Sequence, residues 1–263
     1  MSELVTLEIV DETATLTLND PDVRNALTVE MAEGVQSAVA EAEAENARCL
    51  VVEGAGGVFC AGGDVAAMME GVAADVDIET RIEDYALPVN RAVQAVAECP
   101  MPSVAKVDGP AFGAGGALAI ACDVVLASER ARISFGFRQV GLSVDSGTSH
   151  LLPRLVGENV AKELVYTGEL VESDRALDLG LVNHVYPEEE FDERADDLVA
   201  DIASGPTVAL EASKRLLEAG PTRDIDAAIE AEADALAETI ASEDHSEGAY
   251  AFAEGREPEF EGR

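Results

Sequence analysis

Two glycine-rich segments carry the first hint of chemistry: Phe59-Cys60-Ala61-Gly62-Gly63-Asp64 and Gly109-Pro110-Ala111-Phe112-Gly113-Ala114-Gly115-Gly116. Each follows a run of strand character and opens a helical one. At a helix N-terminus the first backbone N–H groups have no partner within the helix and carry partial positive charge. Such a place stabilises an anion, or an oxygen that becomes anionic during a reaction. Two loops of this kind facing one another would converge two N–H donors on one oxygen. Read singly, either loop is also explained by glycines that permit tight turns against packed helices.

Asp145 is the third candidate. It lies in Gly141-Leu142-Ser143-Val144-Asp145-Ser146-Gly147, a stretch of small and apolar residues. Burial there would raise the pKa of the carboxyl, which suits it to take a proton from carbon. The competing reading is a cap on a helix that starts near Ser146 or Gly147. Asp145, Ser149 and His150 are the residue types of a hydrolytic triad, but no G-x-S-x-G elbow surrounds Ser149. A dinucleotide-binding Rossmann fold is a rival for the second loop, with strands on both sides and Glu129 near the place of a ribose-binding acid. Against it, Gly113-Ala114-Gly115-Gly116-Ala117-Leu118 lacks the third small position of G-x-G-x-x-G, and Lys106 precedes the loop instead of closing a Walker motif.

The elements that must hold these residues are legible in the periodicity. Leu4 to Val10 and Thr13 to Leu18 read as a hairpin around Asp11-Glu12. Thr28 caps a helical pattern to about Glu45, with Met31, Val35 and Val39 on one face. Arg48 to Glu53 is a buried strand, Asp64 caps a second helix, and 78–98 is a third, stopped by Pro100 and Pro102. Ser103 to Val107 is a strand before the second glycine loop, Ala117 to Cys122 a short helix, and Val124 to Ser128 another strand. Strand, glycine turn and helix thus recur, as in βα units stacked side by side. From Gly147 onward the pattern is mainly helical, with long amphipathic stretches at 188–203, 206–219 and 224–242.

Composition narrows the function. Among 263 residues, 17 Lys+Arg stand against 53 Asp+Glu, a formal net charge of −36. That argues against a nucleic-acid binder, which needs a basic face, and against an anionic membrane surface. Lysine is limited to Lys106, Lys162 and Lys214, and this acid-rich, lysine-poor balance resembles that of proteins from salt-loving archaea. Cys49, Cys60, Cys99 and Cys122 form no C-x-x-C and no His lies at metal-ligand spacing, so no structural metal is expected. No signal peptide or long apolar run is visible, which predicts a cytoplasmic chain.

The two loops at this separation resemble those of the crotonase superfamily, the enoyl-CoA hydratases and isomerases. Further text fits in order: Pro102 to Gly116, Cys122-Asp123, Ile133-Ser134-Phe135-Gly136, Leu152-Pro153-Arg154-Leu155-Val156-Gly157, Thr167-Gly168, Gly180-Leu181-Val182-Asn183 and Pro258-Glu259-Phe260-Glu261-Gly262-Arg263. The resemblance implies an α/β fold, a crotonase-like spiral of ββα turns over 1–200 that binds acyl-CoA, followed by a helical trimerisation region over 201–263. It implies a homotrimer or dimer of trimers, an acyl-CoA thioester as substrate, and no metal or other cofactor.

The resemblance also assigns residues. The two oxyanion donors fall on the amides of Gly63 and Ala114. Gly62, Gly63, Asp64 and Ala114 belong to the substrate-binding set, Arg24 lies near the CoA path, Ala26 and Ala61 offer backbone contacts to the adenine side, and Arg256 stands next to Gly255, where the family places a lysine that reaches phosphate from a neighbouring subunit. The family's hydratases add water with two glutamates. Their positions here are Ala117 and Gln139, neither of which is a base. Family double-bond isomerases, and the ring-1,2-epoxyphenylacetyl-CoA isomerases, instead carry a catalytic aspartate in a Gly-Leu-x-x-Asp-x-Gly setting, which falls on Asp145. The expected activity is isomerisation by Asp145 alone, with hydration and ring-epoxide isomerisation as alternatives. Ala66 to Val89 should shape the acyl pocket, with no residue in it decisive.

Overall fold

The computed structural model describes residues 3–263; Met1 and Ser2, which open the N-terminal reading, lie outside them. β1 (Val5–Val10) and β2 (Thr13–Leu18) pair antiparallel, Val5 opposite Leu18 and Val10 opposite Thr13. Asp11 and Glu12 turn between them at φ 47° and 62°, the left-handed pair that a two-residue hairpin favours. α1 (Val29–Ala44) starts where Thr28 Oγ1 accepts from the Met31 amide at 3.1 Å. Its Met31, Val35 and Val39 face inward, as their spacing predicts. β3 (Cys49–Gly54) follows, then α2 (Val65–Ala73), capped by Asp64 Oδ1, which accepts from the Ala67 amide at 3.0 Å.

The helix expected over 78–98 is interrupted. α3 (Ile78–Thr80) and α4 (Leu87–Ala97) are joined by a π-helical stretch, Arg81–Ala86. Such wider turns recur at functional sites, and this one faces the cavity described below. β4 (Ser103–Val107), β5 (Pro110–Phe112), α5 (Ala114–Ala119), β6 (Val124–Ser128) and β7 (Arg132–Ser134) come next. Here too the sequence reading needs correction. The glycine loop holds a strand of its own, β5, and the helix starts at Ala114 instead of Ala117. β5 forms because the first glycine loop supplies its partner: the Cys60 amide donates to Pro110 O at 3.1 Å and the Phe112 amide to Cys60 O at 2.9 Å.

The remainder is mainly helical: α6 (Thr148–Val156), α7 (Glu158–Thr167), β8 (Val171–Glu172), α8 (Ser173–Leu179), β9 (His184–Tyr186), α9 (Phe191–Ala203), α10 (Thr207–Ala219), α11 (Ile225–Ile240) and α12 (Glu243–Glu254). The strands form two sheets, ordered β1-β2-β3-β4-β6-β9 and β5-β7-β8. Successive turns drop β4 and β6 into the larger sheet and β5 and β7 into the smaller, so the chain spirals. This is not the strand order of a Rossmann sheet. Alternation along the strands separates two cores. Leu50 and Val52 of β3 join the main core, and Cys49 and Val51 face Phe191, Ala195 and Val199 of α9 on the other side.

Two buried cations tie the helical end to this body. Lys214 Nζ on α10 sits 2.8 Å from Asp123 Oδ2 and donates to Met101 O at 3.1 Å. Arg48, just before β3, donates to Thr207 Oγ1 at 2.8 Å, Gly205 O at 2.6 Å and Phe260 O at 3.2 Å, and pairs with Glu12 at 2.9 Å. The last residues are pinned a second time by buried Asp244, whose carboxylate accepts from the Glu261 and Gly262 amides at 2.8 and 3.0 Å. No helix among the described residues is long and apolar enough to cross a membrane.

Candidate active site

Backbone hydrogen bonds stitch the first glycine loop between two other segments. The Ala61 amide donates to Arg24 O at 3.0 Å and the Leu27 amide to Gly62 O at 2.7 Å on one side; the Cys60–β5 bonds close the other. Gly62 can sit there because it takes φ 93° and has no side chain. A Cβ on Gly62 would lie 2.5 Å from Phe112 O and 3.6 Å from the Ala114 nitrogen. The two loops therefore meet backbone to backbone. Gly113, at φ 54°, turns the chain into α5 while its own amide donates to Ser134 O at 2.7 Å. Ala114 is the first residue of α5 and Gly113 offers no side chain to cap it. No acceptor among the described residues takes the amide hydrogen of Ala114 or of Gly63.

Both residues line one cavity of about 1080 Å³, and Asp145 lines it too. Its walls are mostly apolar, with Met68, Ile82, Tyr85, Val89, Phe137 and Leu170 among them. Asp145 is half-buried, and burial pushes its carboxyl above the ordinary value; a hydrogen bond from Ser146 Oγ at 2.9 Å opposes that rise. Ser146 is held in turn by Asn90 of α4, whose Oδ1 accepts from the Ser146 amide at 3.0 Å and lies 3.2 Å from its hydroxyl. The alternative role as a helix cap is not what the geometry shows. α6 starts after Gly147, and it is the Asp145 backbone carbonyl, not the carboxylate, that accepts from the Thr148 amide at 2.9 Å.

Ala61, Gly62 and Asp64 line the same cavity. Arg24, Ala26 and Arg256 lie outside its wall. Arg24 serves through its carbonyl, with its side chain exposed. Ala26 is buried in the packing behind the loop. The Arg256 guanidinium is committed to Glu247 at 2.9 Å and to Glu254 at 2.9 Å on the acidic C-terminal surface. Gln139 lines the cavity and donates weakly to Gly168 O at 3.4 Å, and Ala117 is fully buried behind it. Ser149 and His150 are exposed and outside the cavity wall, so no triad assembles around Asp145.

Four residues escaped the sequence reading. Asn25 is fully buried and donates to the Ala55 and Val58 carbonyls at 2.9 and 2.7 Å, bracing the approach to the first loop. Ser146 and Asn90 position Asp145. Arg81 is the one basic side chain among the described residues that line the cavity. No cluster of His, Cys, Asp and Glu among the described residues could hold a metal ion.

The arrangement offers two free amides and one half-buried carboxylate around a largely apolar cavity. That is suited to holding a carbonyl oxygen while a proton moves on the attached carbon chain. The pattern of the family described as "Enoyl-CoA hydratase/isomerase" matches residues 8–263. A Rhodobacter capsulatus protein carrying an enoyl-CoA hydratase name is 35% identical over 256 residues, 97% of either chain. The 1,2-epoxyphenylacetyl-CoA isomerase of Escherichia coli is 30% identical over 265 residues, the whole of both chains. The crystal structure of an enoyl-CoA hydratase from Bacillus anthracis superposes with a TM-score of 0.91 at 28% identity, covering 99% of this chain and 100% of that one.

Proposed function

This chain belongs to the enoyl-CoA hydratase/isomerase family, and within it we propose an enoyl-CoA isomerase that works with a single acid/base. The thioester oxygen rests between the amides of Gly63 and Ala114. Asp145 takes a proton from the carbon beside the carbonyl, and the electron pair left behind spreads onto the oxygen as an enolate conjugated with the 3-enoyl double bond. Asp145 then returns its proton two carbons further along. The double bond moves to the 2-position, the carboxylate is regenerated, and no atom is gained or lost. The raised Asp145 pKa favours the first step, because a stronger base takes a carbon-bound proton more readily.

The observation that carries this reading is the inventory of the cavity. Asp145 shares it with the two free amides, and the positions the family's hydratases fill with glutamate hold Gln139 and buried Ala117. One carboxylate is enough to shuttle a proton, whereas adding water calls for groups that hold and deprotonate it. Hydration is the second reading, favoured by the hydratase name of the Rhodobacter relative; Asp145 or Gln139 would then hold the water.

One experiment separates them. The protein is incubated in high salt with 3-enoyl-CoA and with 2-enoyl-CoA separately, and the products are weighed. Isomerisation leaves the mass unchanged and shifts the double bond; hydration adds the mass of one water. Asp145→Asn should abolish turnover while ligand binding survives, and a fully active Asp145→Asn protein would sink the assignment. We further propose a homotrimer or dimer of trimers, supported by the apolar side chains left exposed on α11 and α12, such as Ile225, Ile229, Leu236 and Phe252. Light scattering tests it: a monomer at working concentration would refute it.

A further inference from the structure

Among the described residues, Arg81 is the one arginine without a carboxylate partner that lines the cavity. With acids so abundant, all three lysines and more than half of the arginines have carboxylate partners. The Arg81 guanidinium, although in the cavity wall, makes no ion pair or hydrogen bond with any described residue. The acids nearest in sequence are otherwise engaged or turned outward. Asp77, one turn earlier, spends its carboxylate on the Thr80 amide and hydroxyl at 2.9 and 2.7 Å, and Glu83 and Asp84 are exposed. The side chain lies over Gly71 of α2, its Nε 3.4 Å from where a Cβ would stand, which is ordinary contact distance. Its neighbours in the wall, Ile78, Ile82 and Met68, are apolar. The half-buried guanidinium thus faces the cavity with its donors free for an incoming anion.

We propose that Arg81 determines substrate specificity by holding a carboxylate at the far end of the acyl chain. This rests on the reading of the cavity as an acyl-CoA site, but not on whether the enzyme isomerises or hydrates. A guanidinium offers two parallel donors to any oxyanion, so a CoA phosphate would satisfy the same chemistry. Placement favours the acyl end. The helical run that carries Arg81 continues through Val89 to Asn90, which braces the Asp145 segment, so Arg81 shares a wall with the group proposed to touch the acyl carbons. The distance sets the chain length. Gly71 lies seven residues along α2 from Asp64, or about 10 Å at the helical rise. At roughly 1.2 Å per bond of extended chain, that is about eight bonds. The substrate class is therefore a medium-length enoyl thioester ending in a carboxylate, and the apolar wall around the guanidinium grips the methylenes between.

The test is binding of saturated thioesters, which cannot react, to the full-length protein at fixed salt. Octanoyl-CoA is compared by calorimetry with the eight-carbon thioester that ends in a carboxylate, on the wild type, Arg81→Met and Arg81→Lys. The expected result is that Arg81→Met weakens the carboxylate-ended ligand by about tenfold to a hundredfold. Octanoyl-CoA binding stays within about twofold, and Arg81→Lys recovers part of the loss. Equal weakening of both ligands, or of neither, overturns the proposal. Where equal weakening disappears with the phosphate-free pantetheine thioesters, the anion belongs to the CoA half and the acyl assignment is likewise overturned. A wild type that binds no CoA thioester at all would overturn the acyl-CoA reading and this proposal together. A hydratase outcome in the product assay leaves the proposal standing.

Discussion

Gly62→Ala puts the loop geometry to its most direct test. The residue sits at φ 93°, where an alanine costs about 1–2 kcal/mol from its Cβ alone. That Cβ would also stand 2.5 Å from Phe112 O, against the 3.4 Å at which ordinary contact begins. The obstructing atoms belong to the backbone, so relief requires the 59–64 loop and β5 to part by about 1 Å, close to the misplacement that can cost a hundredfold in rate. The amides of Gly63 and Ala114 flank this contact, and losing one donor to an oxyanion typically lowers turnover by about two to three decades. The expected phenotype is a kcat down at least about a hundredfold with KM little changed, because the oxyanion exists only after proton removal. Stability should fall by about 3 kcal/mol. Gly63→Ala is the control for stability: there the new methyl meets only the Met68 Cε at 2.9 Å, a flexible side-chain end, so the fold should lose no more than about 1 kcal/mol. Turnover of enoyl-CoA and thermal melting, measured on both variants, decide the matter. A Gly62→Ala protein with wild-type kcat and melting temperature would show that the two loops do not depend on this close approach, and the reasoning would fail.

Four other outcomes are expected. Asp145 must be ionised to act as a base, and burial raises its pKa, so activity should fall as pH drops through that raised value; Ser146→Ala removes the opposing hydrogen bond and should move this acid limb to higher pH, a pH–rate profile unchanged by the substitution counting against the role. A carboxyl whose pKa is raised on folding binds its proton more tightly when folded, so its ionised form penalises the fold at neutral pH; Asp145→Asn should therefore melt no lower than the wild type at pH 7, and a clear loss of stability would contradict it. Lys214→Met strips the buried partner from Asp123 and should cost about 2–3 kcal/mol in urea titration, a neutral result meaning that α10 is held by packing alone. With a net charge of −36, stability should decline as salt is removed and screening weakens, which circular dichroism across a salt series measures; a melting temperature indifferent to salt would refute it.

What the sequence disclosed was local chemistry. The hairpin, the Thr28 and Asp64 caps and the inward face of α1 depend on residues within a few positions of one another, and the glycine loops announce themselves by composition. What it concealed was contact between distant segments. β5 is three residues long and exists because Cys60 and Ser134 supply its partners. Asn90 and Ser146 meet across 56 positions. The π-helical stretch at Arg81–Ala86 leaves the apolar pattern of a helix intact, so periodicity alone reads straight through it. Arg81 was overlooked for a different reason: its significance is the partner it lacks, and that is visible only once every neighbouring carboxylate has been placed.

The clasp around Arg48 has a bearing on how the polypeptide comes into being. This guanidinium is laid down in the first fifth of the chain, yet three of its acceptors, Gly205 O, Thr207 Oγ1 and Phe260 O, belong to the final quarter. During synthesis the emerging sheet holds a cation with only Glu12 of its partners in place, and a nascent chain released short of Phe260 leaves one arm of that cation without its carbonyl. The closing residues act as the latch of the fold, not as its trailing edge.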